Sequence, residues 1–271
     1  MPDLHWLGAV TQLRRERRPG VLVTVTEARG HAPRAAGAKM VVADEQTWGS
    51  IGGGNLEQTA IVRSRALLAA GAREPETVTV SLSEKARSDH GRQCCGGEVT
   101  VLLEPLAVVP SVAIFGLGHV GLELARILSR HDVELHLVDS RAAHVAPRVV
   151  AVLDGPATVH AHHAPLPEVV LGEVPHGTHV LVMTHDHAED FALCDAALRC
   201  GHLASIGLIG SAAKWRRFER GLRVEGHAEE AIARIRCPIG VGPAGKEPAT
   251  IALGVAAELL HAFHDAVPRA R

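Results

Sequence analysis

Two adjacent cysteines, Cys94 and Cys95, carry the strongest chemical signal in the sequence. Gln93 precedes them, and Gly96 and Gly97 follow. A thiolate is a soft ligand for soft metals, and glycines let an anionic ligand approach backbone N–H groups closely. Side chains that favour the thiolate form precede the pair: Lys85, Arg87, His90 and Arg92. Because the chain lacks a Cys-x-x-Cys pair, a structural zinc site is disfavoured, and the pattern favours binding of a soft metal or a sulfur-rich centre.

A glycine fingerprint, G-x-G-x-x-G, lies between a predicted strand and a predicted helix. Its glycines are Gly116, Gly118 and Gly121. In this context the first makes a tight turn, the second admits a pyrophosphate to the backbone, and the third lets the helix pack on the strand. Asp139 closes the next predicted strand, where an acidic side chain can bind a ribose 2′-hydroxyl. The pattern predicts nucleotide-binding geometry and leaves open whether a dinucleotide is bound.

Polar residues also follow two later predicted strands. His185 and His187 flank an aspartate at the end of one, and Ser211 follows the next. Ligands of open α/β sheets bind at the carboxyl ends of the strands. The two histidines could therefore bind a metal or transfer protons, and the serine could cap a helix or hold an anion.

The elements that must position these residues change character along the chain. The first third predicts helix 3–18, strand 21–26, a hairpin of 39–43 with 47–51, a helix capped by Asn55 and running to about Ala70, and strands 77–82 and 98–104. Residues 105–110, with a proline at each end, resemble a linker. After it, strands 111–115, 133–138, 179–183 and 203–208 alternate with helices 122–129, 191–199 and 249–263.

Two domains of α/β class follow from this change. We predict a mixed α+β domain over residues 1–104 and a Rossmann-like, doubly wound parallel-sheet domain over residues 111–271.

The bulk composition excludes several function classes. The chain has 271 residues and a formal net charge of −2, which gives no footprint for nucleic acid. It has neither a signal-peptide pattern at its start nor an apolar run long enough to span a membrane. Five cysteines, an odd number, predict reduced thiols and a cytoplasmic location.

Four stretches together resemble the XdhC/CoxI family of molybdenum-hydroxylase maturation factors, and within it the xanthine dehydrogenase accessory proteins. The resemblance covers nearly the whole chain. These stretches are Gly49 to Glu57, which contains Gly52, Gly53 and Gly54; Gly91 to Gly97; Phe115 to Gly121; and Met183 to His187 with its continuation from Ile206 to Ser211.

This resemblance implies a maturation factor without its own turnover reaction. Such a protein binds the molybdenum cofactor (molybdopterin), holds it while a cysteine desulfurase replaces an oxo ligand with sulfur, and passes it to the xanthine dehydrogenase apo-subunit. By this likeness Cys94 or Cys95 contacts the molybdenum or its dithiolene, the Gly52–Gly54 turn lies near the pterin or its phosphate, and the Rossmann-like domain contributes a nucleotide or phosphate pocket. A homodimer is also expected.

Two other functions remain open from the residues themselves. An NAD(P)-dependent oxidoreductase would need the glycine fingerprint and would not need Cys94. A regulatory nucleotide-binding module would bind a nucleotide and no molybdenum cofactor. The cysteine segment separates the first function from both, because neither alternative requires it.

Overall fold

A computed structural model describes residues 4–82, 97–241 and 245–265. The chain forms two compact units, residues 1–108 with 265–271 and residues 109–264. Cys94, Cys95, Gln93 and Gly96 lie outside the described residues.

Unit 1 is an antiparallel sheet with a helix on each face. Its elements are α1 His5–Arg15, β1 Gly20–Arg29, β2 Lys39–Val42, β3 Thr47–Gly49, α2 Gly54–Ala69, β4 Glu76–Ser81 and β5 Glu98–Leu106. The strand order is β3-β2-β1-β5-β4. Successive side chains of β1 point to opposite faces of the sheet. Val21, Val23 and Val25 pack with α2 on one face, and Leu22 packs with α1 on the other.

The predicted start of helix α2 is wrong by one or two residues. Asn55 is buried inside the helix. The N-cap position is occupied by Gly53, which has no side chain with which to cap the helix. The three glycines before Asn55 all have positive φ, so the chain turns there, and the helix begins at Gly54.

Strand β5 also extends into the stretch that resembles a linker. Pro105 lies within β5 opposite Val21 of β1, beyond the last residue of β5 that pairs with β4. A proline is tolerated there because only one neighbouring strand needs hydrogen bonds.

Unit 2 is a six-stranded parallel sheet. Its strands are β6 Ser111–Phe115, β7 Glu134–Asp139, β8 Thr158–His163, β9 Thr178–Val182, β10 Ser205–Leu208 and β11 Ile235–Arg236. Its helices are α3 His119–Leu128, α4 Pro147–Val150, α5 His187–Arg199, α6 Ala212–Val224, α7 Glu229–Ile232 and α8 Pro248–Asp265, with two 3-10 helices at Ala142–His144 and Pro167–Gly172. The order is β11-β10-β9-β6-β7-β8, so the direction of winding reverses between β6 and β9.

Helices cover both faces of this sheet. Side chains of α5, α6 and the second 3-10 helix form one core, and side chains of α3 and α8 form the other. The predicted fold class, a mixed N-terminal domain followed by a doubly wound parallel sheet, is confirmed. Strand β8 and helix α6 are additions that the sequence patterns did not predict. Within the described part of the chain, no helix is both long and apolar enough to cross a membrane.

Candidate functional site

The cysteine segment starts and ends at adjacent positions in unit 1. Ser81, the last residue of β4, pairs with Glu98, the first of β5. The next residues inward stay paired, because the Leu82 N–H donates to the Gly97 carbonyl at 2.7 Å. Residues 83–96, which carry both cysteines, therefore leave and rejoin the sheet at one point.

Gly97 is held against the end of β1. A Cβ atom at this position would lie 2.5 Å from the carbonyl oxygen of Arg29 and 2.6 Å from that of His31. No side chain fits between these backbone oxygens, so glycine is required where the cysteine segment rejoins the sheet.

The Gly52–Gly54 turn has φ values of 129°, 74° and 61°, all in the region that favours glycine. Glu57, in the first turn of α2, holds this turn from the inside. One carboxylate oxygen accepts the Ser50 hydroxyl at 2.6 Å and the N–H groups of Ile51 and Gly53 at 3.2 and 3.1 Å. The amides of Ile51 and Gly53 are thus used within the turn, and a ligand would meet the glycine surface rather than those donors.

A single loop, residues 30–38, joins these two features. His31 contacts Gly97, and the ring of Pro33 packs so closely on Gly52 that a Cβ there would overlap it. Because His31 and Pro33 are only two residues apart, they lie within about 7 Å of each other. The glycine turn and the base of the cysteine segment therefore share one end of the unit 1 sheet.

In unit 2 the glycine fingerprint lies where the winding reverses. Gly116 has φ 102°, and a Cβ on it would lie 2.5 Å from the Met183 carbonyl oxygen, just after β9. A Cβ on Gly118 would meet nothing within 4 Å, whereas one on Gly121 would overlap the Gly116 carbonyl oxygen. The turn, the open approach and the close helix packing predicted for the three glycines match this geometry.

Asp139 ends β7 but faces the protein. Its side chain is 2% exposed; Oδ2 accepts the Leu117 N–H of the glycine loop at 2.8 Å, and the Arg141 guanidinium donates to both carboxylate oxygens at 2.9 Å. Burial alone would raise the pKa of Asp139, but these hydrogen bonds outweigh it and hold the pKa below its ordinary value. The carboxylate thus fixes the glycine loop, and a ribose contact remains a prediction.

The histidines predicted after β9 are solvent-exposed. Asp186 between them caps α5, accepting the N–H groups of Ala188 and Glu189 at 2.6 and 3.4 Å. In the ranges covered by the structure, neither His185 nor His187 belongs to a group of three or more converging metal-ligand side chains. They stand at the carboxyl edge of the sheet, where a bound molecule could meet them.

A buried ion pair behind this edge was missed from the sequence. Lys214 Nζ lies 2.5 Å from Asp190 Oδ2 and donates to the Ile209 carbonyl at 2.9 Å; the two side chains are 10% and 1% exposed. Asp190 Oδ1 accepts the Thr184 N–H at 2.9 Å. The pair therefore ties the loop after β9 to the loop after β10. Of the two roles considered for Ser211, the structure shows the cap, since its side chain caps α6.

The described cysteines of unit 2 are inert thiols. Cys194 is buried in the core, where burial raises its pKa to about 12. Burial also raises the pKa of Cys237, beside the Gly210 carbonyl. Because the thiolate is the reactive form, burial makes both thiols less reactive than an exposed cysteine.

Two protein families match the chain. The family described as the XdhC Rossmann domain matches residues 112–259, and the XdhC and CoxI family matches residues 13–81.

Individual proteins also match. The uncharacterized protein YqeB of Escherichia coli (strain K12) is 27% identical over 256 residues, which is 94% of this chain and 46% of YqeB. The chain thus spans about half the length of that curated relative. A crystal structure of a xanthine dehydrogenase from Bacillus halodurans is similar with a TM-score of 0.49 and 18% identity, covering 98% of this chain and 96% of the other.

Proposed function

Because this chain belongs to the XdhC and CoxI family, we propose that it is a maturation factor for xanthine dehydrogenase that carries the molybdenum cofactor as its cargo. In this proposal the chain holds the cofactor while a cysteine desulfurase adds sulfur, and then delivers it to the apo-dehydrogenase. It acts in the cytoplasm as a homodimer, with no turnover reaction of its own.

The observation that carries the proposal is where unit 1 anchors the two ends of the cysteine segment. Its two ends, at Leu82 and Gly97, meet beside the loop that packs on the Gly52–Gly54 turn. Soft thiolates would bind molybdenum or its dithiolene sulfurs. The open backbone at Gly53, where a Cβ atom would meet nothing within 4 Å, would admit a flat pterin closely.

Unit 2 supports a nucleotide or phosphate pocket in the same protein. The exposed backbone at Gly118 lies at the start of α3, whose N-terminal amides attract anions. Arg141, one-third exposed beside the glycine loop, adds a positive charge that suits a phosphate. The molybdenum cofactor carries a phosphate, so this pocket could serve a cofactor or a separate nucleotide.

The test is anaerobic binding of molybdenum cofactor to the purified full chain, with Cys94→Ser and Cys95→Ser beside it. Cys200→Ser is the matched control, because Cys200 is a half-buried free thiol of unit 2. We expect stoichiometric binding by the wild type and the control, and loss of binding in at least one of the other two variants.

Binding should lead to delivery. Loaded wild-type protein is expected to restore activity to apo-xanthine dehydrogenase in the presence of a cysteine desulfurase, and the variant that loses binding is not. If all four proteins bind the cofactor equally, or none binds it, the cargo role of Cys94 and Cys95 is refuted.

A second candidate is an NAD(P)-dependent oxidoreductase. The reversal of winding beside the glycine fingerprint favours it, because dinucleotides bind at that crevice in doubly wound sheets. His185 or His187 would then transfer the proton that accompanies hydride transfer. Tight NAD(P) binding that survives Cys94→Ser, together with no molybdenum cofactor binding and with hydride transfer to an acceptor, would establish this function instead.

A further inference from the structure

A cluster of histidines lies on one face of strands β7 and β8, at the edge of the unit 2 sheet. His136 pairs with His160 across the two strands, and Glu134 shares their face. The imidazole rings of His136 and His160 stack with centroids 4.8 Å apart and planes 18° apart. The outer nitrogen of each ring, Nε2, faces the Glu134 carboxylate.

The distances within this cluster fit a zinc-sized ion. Glu134 Oε1 lies 3.1 Å from His160 Nε2 and 3.5 Å from His136 Nε2. Zinc bonds of about 2.0–2.2 Å in a tetrahedron place neighbouring ligand atoms about 3.3–3.5 Å apart. All three ligand atoms lie within 4.8 Å of one another. Because the two imidazole planes are nearly parallel, His160, whose side chain is 42% exposed on the edge strand, would have to rotate for its Nε2 to converge with that of His136 on one ion.

We propose that Glu134, His136 and His160 bind one divalent transition-metal ion of the zinc class, joining the edge strand β8 to β7. The donor set of two imidazoles and one carboxylate is typical of such ions and leaves a fourth position for water. In the structure, His160 Nε2 is buried and makes no hydrogen bond, although it lies beside the carboxylate. A metal ion would give this buried nitrogen a partner.

His162 supplies the outer support that metal-binding histidines usually have. Its Nε2 lies 3.3 Å from His136 Nδ1, and the two rings stack with centroids 5.5 Å apart. With the proton on Nδ1, His136 donates to His162, and its Nε2 faces the carboxylate as a metal ligand does.

This site is distinct from the glycine fingerprint. Glu134 begins β7, whereas Asp139, which holds the glycine loop, ends it. Five residues of extended strand separate the two positions by about 16 Å. The three ligands also belong to unit 2 alone, so the site is complete within one unit.

The test is a Zn²⁺ titration against a chromogenic chelator, using metal-stripped full chain. All proteins carry Cys94→Ser and Cys95→Ser, so that those thiols cannot bind zinc and the result is independent of the proposed cargo role. Glu134→Gln and His160→Gln test the site. His163→Gln is the matched control, because His163 lies on the same strand with its side chain on the opposite face.

We expect one Zn²⁺ per chain in the parent protein and in His163→Gln, and at least about 10–100-fold weaker binding in the two test variants. Co²⁺ bound to the parent should show the intense visible absorption of a low-coordinate site. A His185→Gln/His187→Gln variant should bind as the parent does. The proposal is refuted if the parent binds no Zn²⁺, or if Glu134→Gln and His160→Gln bind it as tightly as the parent.

Discussion

Gly116→Ala and Gly118→Ala, two residues apart in one loop, should have very different effects on the stability of unit 2. At Gly116 a Cβ would lie 2.5 Å from the Met183 carbonyl oxygen and 2.6 Å from the Thr184 Cα, with φ at 102°. At Gly118 it would meet nothing within 4 Å, and φ is −69°. The same added methyl group is thus compared in crowded and in open space.

The magnitude follows from these contacts. An overlap of about 1 Å with backbone atoms costs about 1–3 kcal/mol, and the left-handed backbone costs alanine about 1–2 kcal/mol more. Alanine also lowers the conformational entropy of the unfolded chain, which raises the free energy of unfolding by about 0.4–1 kcal/mol. Gly116→Ala should therefore lower the free energy of unfolding by about 2–4 kcal/mol. At Gly118 the same entropic stabilisation offsets the cost of placing alanine at the N-cap of α3. The free energy of unfolding should therefore change by no more than about 0.5 kcal/mol.

Urea unfolding followed by Trp215 fluorescence measures this, since Trp215 is the tryptophan of unit 2 and packs on its core. Trp6→Phe and Trp48→Phe remove the two tryptophans of unit 1 from the signal. With a slope of about 2 kcal/mol/M, the Gly116→Ala midpoint should fall by about 1–2 M.

The reasoning is refuted if Gly116→Ala unfolds at the parent midpoint, or if Gly118→Ala is equally destabilised. Gly118→Ala can also be titrated with a nucleotide, because a stable variant reports on binding alone. A stable variant that has lost phosphate or nucleotide binding would identify the open backbone at Gly118 as the contact surface.

Two further predictions concern the charges behind the loops. Lys214→Met leaves the Asp190 carboxylate buried without its ion-pair partner, so unit 2 should lose about 3–5 kcal/mol in the same unfolding assay, whereas Arg216→Met on the exposed side of α6 should change little. Asp139→Asn should lower the free energy of unfolding by about 1–3 kcal/mol at pH 7. The pKa of Asp139 is lowered in the folded state, so its stabilisation is present above the unfolded-state pKa of about 3.9 and is lost as the pH falls through the folded value. The difference between Asp139→Asn and the parent should therefore shrink in unfolding curves recorded below about pH 4.

The sequence predicted those elements whose residues follow one strong pattern. Strands β6, β7, β9 and β10 are apolar runs buried in the middle of the sheet, and each was predicted to within two residues at either end. The glycine fingerprint was equally readable, because Gly116 and Gly121 answer local steric demands and Gly118 leaves the backbone open between them.

Elements at the surface escaped prediction because their patterns are mixed. Strand β8 alternates histidine with small residues and lies at the edge of the sheet, where its side chains remain partly or fully exposed to solvent. Helix α6 is rich in arginine and fully buries only Phe218 and Leu222. Strand β8 lacks a clear apolar alternation, whereas α6 does place Trp215, Phe218 and Leu222 at helical spacing, a signal that its many arginines obscured.

The missed site features are contacts between distant residues. Lys214 and Asp190 are 24 residues apart, and no local pattern joins them. Asp139 was correctly placed at the end of its strand, but its bonds to Leu117 and Arg141 depend on how the loops fold back. Sequence spacing identified which residues stand at the edge of the sheet, and tertiary packing determined where their side chains point.

The paired ends of the cysteine segment have an evolutionary consequence. Because β4 and β5 remain in register up to Leu82 and Gly97, the sheet closes the segment's ends whatever lies between them. Doubling the length of such a connection costs only about 0.6 kcal/mol of closure entropy. A longer or shorter segment would therefore still have to begin at Leu82 and end at Gly97. The same scaffold could in this way acquire binding specificity for a different cargo by exchanging one segment.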